Sequence, residues 1–203
     1  MKPHCFRGAA FPAMLSVFLV SCTPWTVRPI GQSGAESGQS RPFDADRYVD
    51  SIWNAKVLPA ISGGAVELAD LLRPASHWTS AVLVKGEGRV LRVDISSRTG
   101  LLTIDAEPYD GRPDAAVQIG PVIRGTTLRD ALPFIQFSQF VNQLQFAQVG
   151  NALNGRVSAA LASFSNRDLA GSIVVFSGAA APPSEGGLLE IVPVTLAVKR
   201  GRP

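Results

Sequence analysis

A chain of 203 residues with 46% hydrophobic and 17% charged side chains can bury a core of its own, but it leaves little room for a second domain. The formal charge is +3, and Lys2 and Arg7 fall in a segment with the pattern of a removable leader, so the rest of the chain is close to neutral. That balance, with no cluster of Lys or Arg along the chain, supplies no field to attract nucleic acid, which is set aside as a partner.

Residues 1–21 combine a basic start at Lys2 and Arg7, an apolar run over 11–20 and a small residue, Ser21, at the end. The run is too short for a hydrocarbon core of ~30 Å, which needs about 20 apolar residues, so a signal peptide is expected rather than a spanning helix. Leu19-Val20-Ser21-Cys22 resembles the bacterial lipobox, in which the Cys thiol receives a diacylglyceryl group and cleavage then frees its amine. The mature chain is therefore expected to begin at a lipidated Cys22 and to sit on the periplasmic face of a bacterial membrane. An ordinary secretory signal with an incidental Cys is the alternative. Thr23, in place of Asp, leans the sorting toward the outer membrane. Cys5 leaves with the leader and Cys22 carries lipid, so no thiol remains for a disulfide or for redox chemistry. From 23 to 42 the composition turns to Gly, Ser, Pro, Gln and Thr, with Trp25, Val27 and Ile30 as the sizeable apolar residues. This reads as a tether, with a reach of ~65 Å if fully extended. The expected organisation is signal peptide over 1–21, tether over 22–42 and one domain over 43–203.

The domain opens with a helix. Asp44 suits the N-cap and Asp46 the positive end of the dipole, and Tyr48, Val49, Ile52, Trp53 and Val57 recur at helical spacing until Pro59, expected to end or kink the helix. A second short helix is expected over 65–72. Strands follow. Val82 and Val84 stand in one phase and Leu91, Val93 and Ile95 in the other, so a bulge at Gly86 and Gly88 would return both sets to one core. Lys85-Gly86-Glu87-Gly88 could instead cradle a phosphate, but it lacks the third glycine and the following helix. Leu102, Ile104 and Ala106 alternate with Thr103 and Asp105 in an antiparallel strand, and Val117, Ile119 and Ile123 suggest a third.

After Gly125 the period changes. Residues 128–133 suit one helical turn. Phe137, Phe140, Val141, Leu144, Leu153, Val157, Leu161 and Phe164 follow a helical spacing interrupted near Gly150 and Gly155, as one broken helix or two short ones. Segments 171–180 and 188–199 are β-rich. Three strands, a helical connection and two further strands are the element order of the OB fold. The expected class is α+β: an OB-like five-stranded β-barrel with a helical connection between its third and fourth strands, preceded by N-terminal helices. An open β-sandwich with helices packed outside competes with it.

The mature chain offers one histidine, His77, read as an exposed loop residue, and no Ser in a nucleophile-elbow pattern. A His/Cys metal site and a Ser-His-Asp triad are both disfavoured, and neither metal nor cofactor is expected. Asp105 and Glu107 share a strand face and Asp94 is expected across the hairpin, so a carboxylate-dependent hydrolase is the enzymatic alternative to a solvated face. The polar block over 118–154 contributes Arg124, Arg129, Asp130, Asn142, Gln143, Asn151 and Asn154. Guanidinium and amide groups bind sugar hydroxyls, carboxylates or another protein's backbone without needing deprotonation, and they equally cap helices and tie loops to strands. Arg124, Arg129, Asp130, Asn142, Gln143 and Asn151 form the candidate ligand or partner site; the structural alternative has Arg124 bonding carbonyls or pairing with an acid such as Asp130.

FDADRYVDSIWNAKVLPAI, VKGEGRV, VDISSRTGLLTID, QIGPVIRGTTLRDALPFI and VNQLQFAQVGNALNGRV resemble the uncharacterised bacterial family of predicted periplasmic lipoproteins, over roughly residues 43–198. Members are often encoded beside sugar ABC importers. The resemblance implies a lipid-anchored, non-catalytic accessory or binding protein, with transporter components or a small sugar as partners and the membrane held through the N-terminal lipid. It supplies no catalytic residues.

Overall fold

The computed structural model describes residues 42–73, 78–164, 167–183 and 187–199. The chain divides into two units, Met1–Arg41 and Pro42–Pro203, and every described residue lies in the second. The signal peptide, Cys22, the tether up to Arg41 and His77 lie outside the described residues.

Asp44 caps α1 (Ala45–Ile52), its Oδ1 accepting from Arg47 N at 3.0 Å. Of the expected stripe, Val49, Ile52, Trp53 and Val57 are buried and Tyr48 is half-buried. Pro59, however, does not end the helix. One π turn, Trp53–Val57, widens the spiral just ahead of it, and Pro59 then falls in the first turn of α2 (Leu58–Gly64), where a missing N–H costs least. The second helix is shorter than expected. Ala65 is extended (ψ 130°), Val66–Glu67 (β1) pairs in parallel with the following strand, and only Leu68–Leu71 (α3) is helical.

The 13-residue β2 (Val82–Asp94) organises the sheet by serving two neighbours. Its first eight residues pair with β5 (Ile173–Ala181), and its far end, from Arg89, pairs with β3 (Leu101–Asp105). Gly86 and Gly88 neither form a loop nor shift the phase: the irregularity falls between Val90 and Arg92, and Leu91 and Ile95 face solvent, 36% and 60% exposed. The glycines supply room for tight coiling instead. A Cβ on Gly86 would lie 2.8 Å from Leu68 Cβ, and one on Gly88 would lie 2.9 Å from Ile104 Cδ1.

With β4 (Ala115–Gln118) and β6 (Leu189–Val198), the order runs β2-β3-β4-β6-β5 and closes on β2. The β4–β6 pair is parallel, and the other barrel pairs are antiparallel. This is the closed five-stranded barrel of the OB fold within an α+β domain; the β2–β5 ladder excludes the open sandwich. The third strand stops at Gln118, earlier than the apolar pattern suggested; Ile119 and Ile123 lie beyond its end and are buried all the same.

Alternation divides the buried strand residues between two cores. Val84, Val90, Leu102, Ile104, Val117, Phe176 and Ile191 fill the barrel with Leu68. A full burial of this kind stabilises by about 1.5–3 kcal/mol per side chain. Outward-facing Leu83, Ala179, Val192 and Val194 share a second core with α1, α2, α4 (Thr127–Asp130) and α5 (Gln143–Leu161). The helix α5 is a single unbroken element between the third and fourth barrel strands, with Val149, Leu153, Val157 and Leu161 spaced by four on its buried face. Its glycines do not interrupt it, because packing on the barrel outweighs a propensity cost of about 1 kcal/mol each. Among the described residues no helix is long and apolar enough to cross a membrane.

Candidate functional site

One buried amide organises the loop after β4. Gln118 is 2% exposed, its Oε1 accepts from Arg124 N at 2.8 Å, and its Nε2 donates to Glu190 Oε1 at 2.7 Å. The loop is thereby pinned to β6. From the other side Asn154 donates to the carbonyls of Gly125 (2.8 Å) and Ile123 (3.3 Å), and Ser158 donates to the carbonyl of Pro121 (2.8 Å). A buried amide can be satisfied only by such converging partners, so these side chains hold the strand-to-helix junction together.

The six candidate residues do not converge. Arg129 has an 11% exposed side chain; it pairs with Asp130 at 2.7 Å and lies 3.9 Å over the Phe146 ring, which fastens α4 to α5. Asp130 also accepts from the Thr126 hydroxyl at 2.6 Å. Asn142 is the N-cap of α5, accepting from Gln145 N at 2.9 Å, while the Gln145 side chain accepts from Val141 N at 3.1 Å. These three serve the fold. Arg124, Gln143 and Asn151 are exposed, and their side chains have no hydrogen-bond or ion-pair partner among the described residues. They stand apart: Arg124 on a hollow of about 410 Å³ with Gln118, Leu188 and Glu190, Gln143 at the first turn of α5, and Asn151 on a different cleft beside α1. The alternative pairing of Arg124 with Asp130 does not form, since Arg129 and Thr126 occupy that carboxylate.

The cap makes a direct prediction. Asn142→Ala should cost about 1 kcal/mol and lower the melting temperature by about 2–4 °C, read by circular dichroism. An unchanged melting curve would remove the capping role.

The carboxylates proposed for acid/base work are also separated. In the β2–β3 ladder Asp105 faces Arg89 whereas Asp94 faces Leu101. Three residues of β3 lie between those two positions, a separation of roughly 13 Å. Asp94 is committed to its turn: the Ser96 hydroxyl and backbone N–H donate to it, and with Arg92 nearby they hold its carboxyl below the usual range. Asp105 is 1% exposed, its Oδ2 accepting from Gly111 N at 2.9 Å, and its Oδ1 has no partner among the described residues. Asp94 does not lie across the hairpin from Asp105, because the register places the two at opposite ends of β3, and Glu107 lies exposed beyond the end of that strand, where it shares no strand face with the buried Asp105.

A cleft of about 820 Å³ lies between α1 and α5, lined by Phe43, Asp46, Asp50, Gln148, Asn151 and Arg156 among others. Asp50 and Arg156 form an ion pair across it, and the Arg156 guanidinium stacks 4.9 Å over Trp53. Of these, only Asn151 was a candidate from sequence. Asp50 and Arg156 are 106 positions apart, and nothing local in either helix signals the other.

Residues 13–197 match the profile of the family described as "Predicted periplasmic lipoprotein (DUF2291)". No curated protein matches the chain. Among solved structures, the crystal structure of an OB-fold protein from Thermotoga maritima MSB8 is similar to it, with a TM-score of 0.60 and 16% identity, covering 78% of this chain and 100% of that one. At that identity the likeness speaks to the fold alone, and it agrees with the barrel topology. The profile spans most of the sequence, both cores included, and the chain belongs to this family of predicted periplasmic lipoproteins.

Proposed function

We propose that the protein is a lipid-anchored, non-catalytic binding protein of the periplasm, held through Cys22, and that it serves a sugar ABC-transport system. The observation that carries the reading is the α1/α5 cleft. It combines carboxylates, amides, a guanidinium and the Phe43 ring. Those are the groups that recognise sugar hydroxyls, with directional donors and acceptors along the walls and an aromatic face for the apolar side of the ring. The barrel interior is filled by side chains and leaves binding to the outer surface. The sugar and its transporter follow from the resemblance in sequence together with this chemistry, and the outer membrane is the favoured location from Thr23.

The test is thermal stabilisation of the chain from residue 22 onward, carrying Cys22→Ser, by a panel of mono- and disaccharides. At a concentration of 100 times Kd a true ligand stabilises by about 2.7 kcal/mol, which is easily read as a melting shift. Asn151→Ala should remove that shift and Arg124→Ala should leave it intact, since Arg124 lies on a different hollow. A panel that stabilises nothing, or a shift indifferent to Asn151→Ala, would overturn the assignment.

A further inference from the structure

Between Asp130 and Arg156 the chain carries no charged side chain, and within that stretch three large apolar residues stand in solvent: Phe137 at 52% exposure, Val141 at 87% and Leu144 at 66%. They crowd onto the corner formed by a short 3-10 turn, Phe137–Gln139, and the first turn of α5. Scattered exposed apolar residues need no explanation, but three on one uncharged corner do.

Four backbone N–H groups of the corner find partners within it. Phe140 N donates to the Phe137 carbonyl at 3.0 Å, Gln139 N to the Gln136 carbonyl at 3.0 Å, and Gln136 N and Val141 N to the side chains of Gln139 (3.0 Å) and Gln145 (3.1 Å). Behind it the Phe137 ring packs edge-on against Phe146 and the Phe140 ring against Phe43, with centroids 5.6 and 5.7 Å apart. A segment with no charge and part of its backbone already paired enters the interfacial layer, where its remaining N–H groups still meet water and headgroups, at less cost than a charged one.

The position of the corner identifies the medium. Phe43 stands two residues after Arg41 and packs directly on Phe140, so the 19 residues that separate Cys22 from Pro42 join the domain beside this patch. We infer that Phe137, Val141 and Leu144 form a second, weak membrane contact, in which the corner inserts into the interfacial layer of the bilayer that holds the lipid anchor. The inference rests on the anchor reading for one element only, the presence of a bilayer within the ~65 Å reach of those residues. Two linked contacts act together, so the patch need bind only weakly to fix the orientation of an anchored domain. Since the corner is uncharged, its partitioning owes nothing to anionic lipid.

The experiment is co-sedimentation of the chain from residue 22 onward, carrying Cys22→Ser, with vesicles of phosphatidylethanolamine and phosphatidylcholine, with and without phosphatidylglycerol. Both cores are built from residues 43–198, all of which this chain retains. The expected result is measurable partitioning that is indifferent to phosphatidylglycerol and to salt, falls by about tenfold or more in Val141→Ser/Leu144→Ser, and rises in Val141→Trp. Both variants alter exposed positions and should melt with the parent. Absence of partitioning, or partitioning unchanged by the serine pair, would overturn the inference. So would a concentration-dependent dimer abolished by the same pair, which would assign the corner to a second copy, or a cross-link to a periplasmic protein lost with it, which would assign it to that partner. The assayed protein carries no acyl chain, so the outcome is independent of whether Cys22 is lipidated in cells.

Discussion

Gly120→Ala should destabilise the domain by about 3 kcal/mol or more, a fall of roughly 6–12 °C in melting temperature for a chain of this size. The segment after β4 lies across the turn between β2 and β3, and three backbone bonds hold it there: Ile119 N to the Gly100 carbonyl at 2.9 Å, Gly120 N to that of Thr99 at 2.5 Å and Val122 N to that of Arg98 at 3.1 Å. A Cβ at Gly120 would overlap the Thr99 carbonyl and press on that of Arg98, and both obstacles are main chain. Side chains rotate away from such a methyl; a carbonyl inside a bonded turn cannot. Relief requires the crossing to open, forfeiting about 1 kcal/mol for each of three bonds and disturbing Ile119 and Ile123, which belong to different cores. Gly155→Ala supplies the contrast. Nothing lies within 4 Å of a Cβ there, and the residue is helical, so alanine should stabilise by about 0.5–1 kcal/mol. Equal melting temperatures for the two variants would refute the steric account.

The same crossing shows what a sequence can and cannot disclose. The switch from a period of two to a period near four after Gly125 is written in local order, because strands and helices bury residues by their own geometry, and the barrel's element order follows from it. Register is not local. Whether Leu91 faces in or out depends on where β2 slips against β3, and the slip lies at Leu91 itself rather than at the glycines that invite it. Gly86 and Gly88 are fixed by what the fold brings against them, Leu68 and Ile104, and neither neighbour is visible along the strand. The polar candidates fared by the same rule. An amide that binds a ligand and one that caps a helix look alike until its partners are known. Asn142 did carry a signal that could have been used, since Gln145 stands three residues on, the spacing of a reciprocal cap. For Asn151 the decisive neighbours are on α1, a hundred positions away, and no spacing within α5 points to them.

Cys22→Ser, placed behind a leader that is cleaved without lipid transfer, should move the protein from the membrane fraction into the soluble periplasm. The argument is one of magnitudes. Each buried methylene contributes ~0.8 kcal/mol, and a single 14-carbon chain already gives a partition constant of about 10⁴ M⁻¹, so two or three acyl chains on one residue hold a protein firmly. Three exposed apolar side chains on one corner cannot match that area, and without the lipid they should partition only at high vesicle concentrations. The two contacts therefore separate in a pair of experiments. Val141→Ser/Leu144→Ser with Cys22 intact should remain in the membrane fraction while becoming more accessible to protease around the corner, because the anchor persists and the orientation is lost. Cys22→Ser with the corner intact should be soluble. A Cys22→Ser protein that still fractionates with membrane even when the corner is also replaced would show that neither contact is the anchor, and lipidation at Cys22 would have to be abandoned.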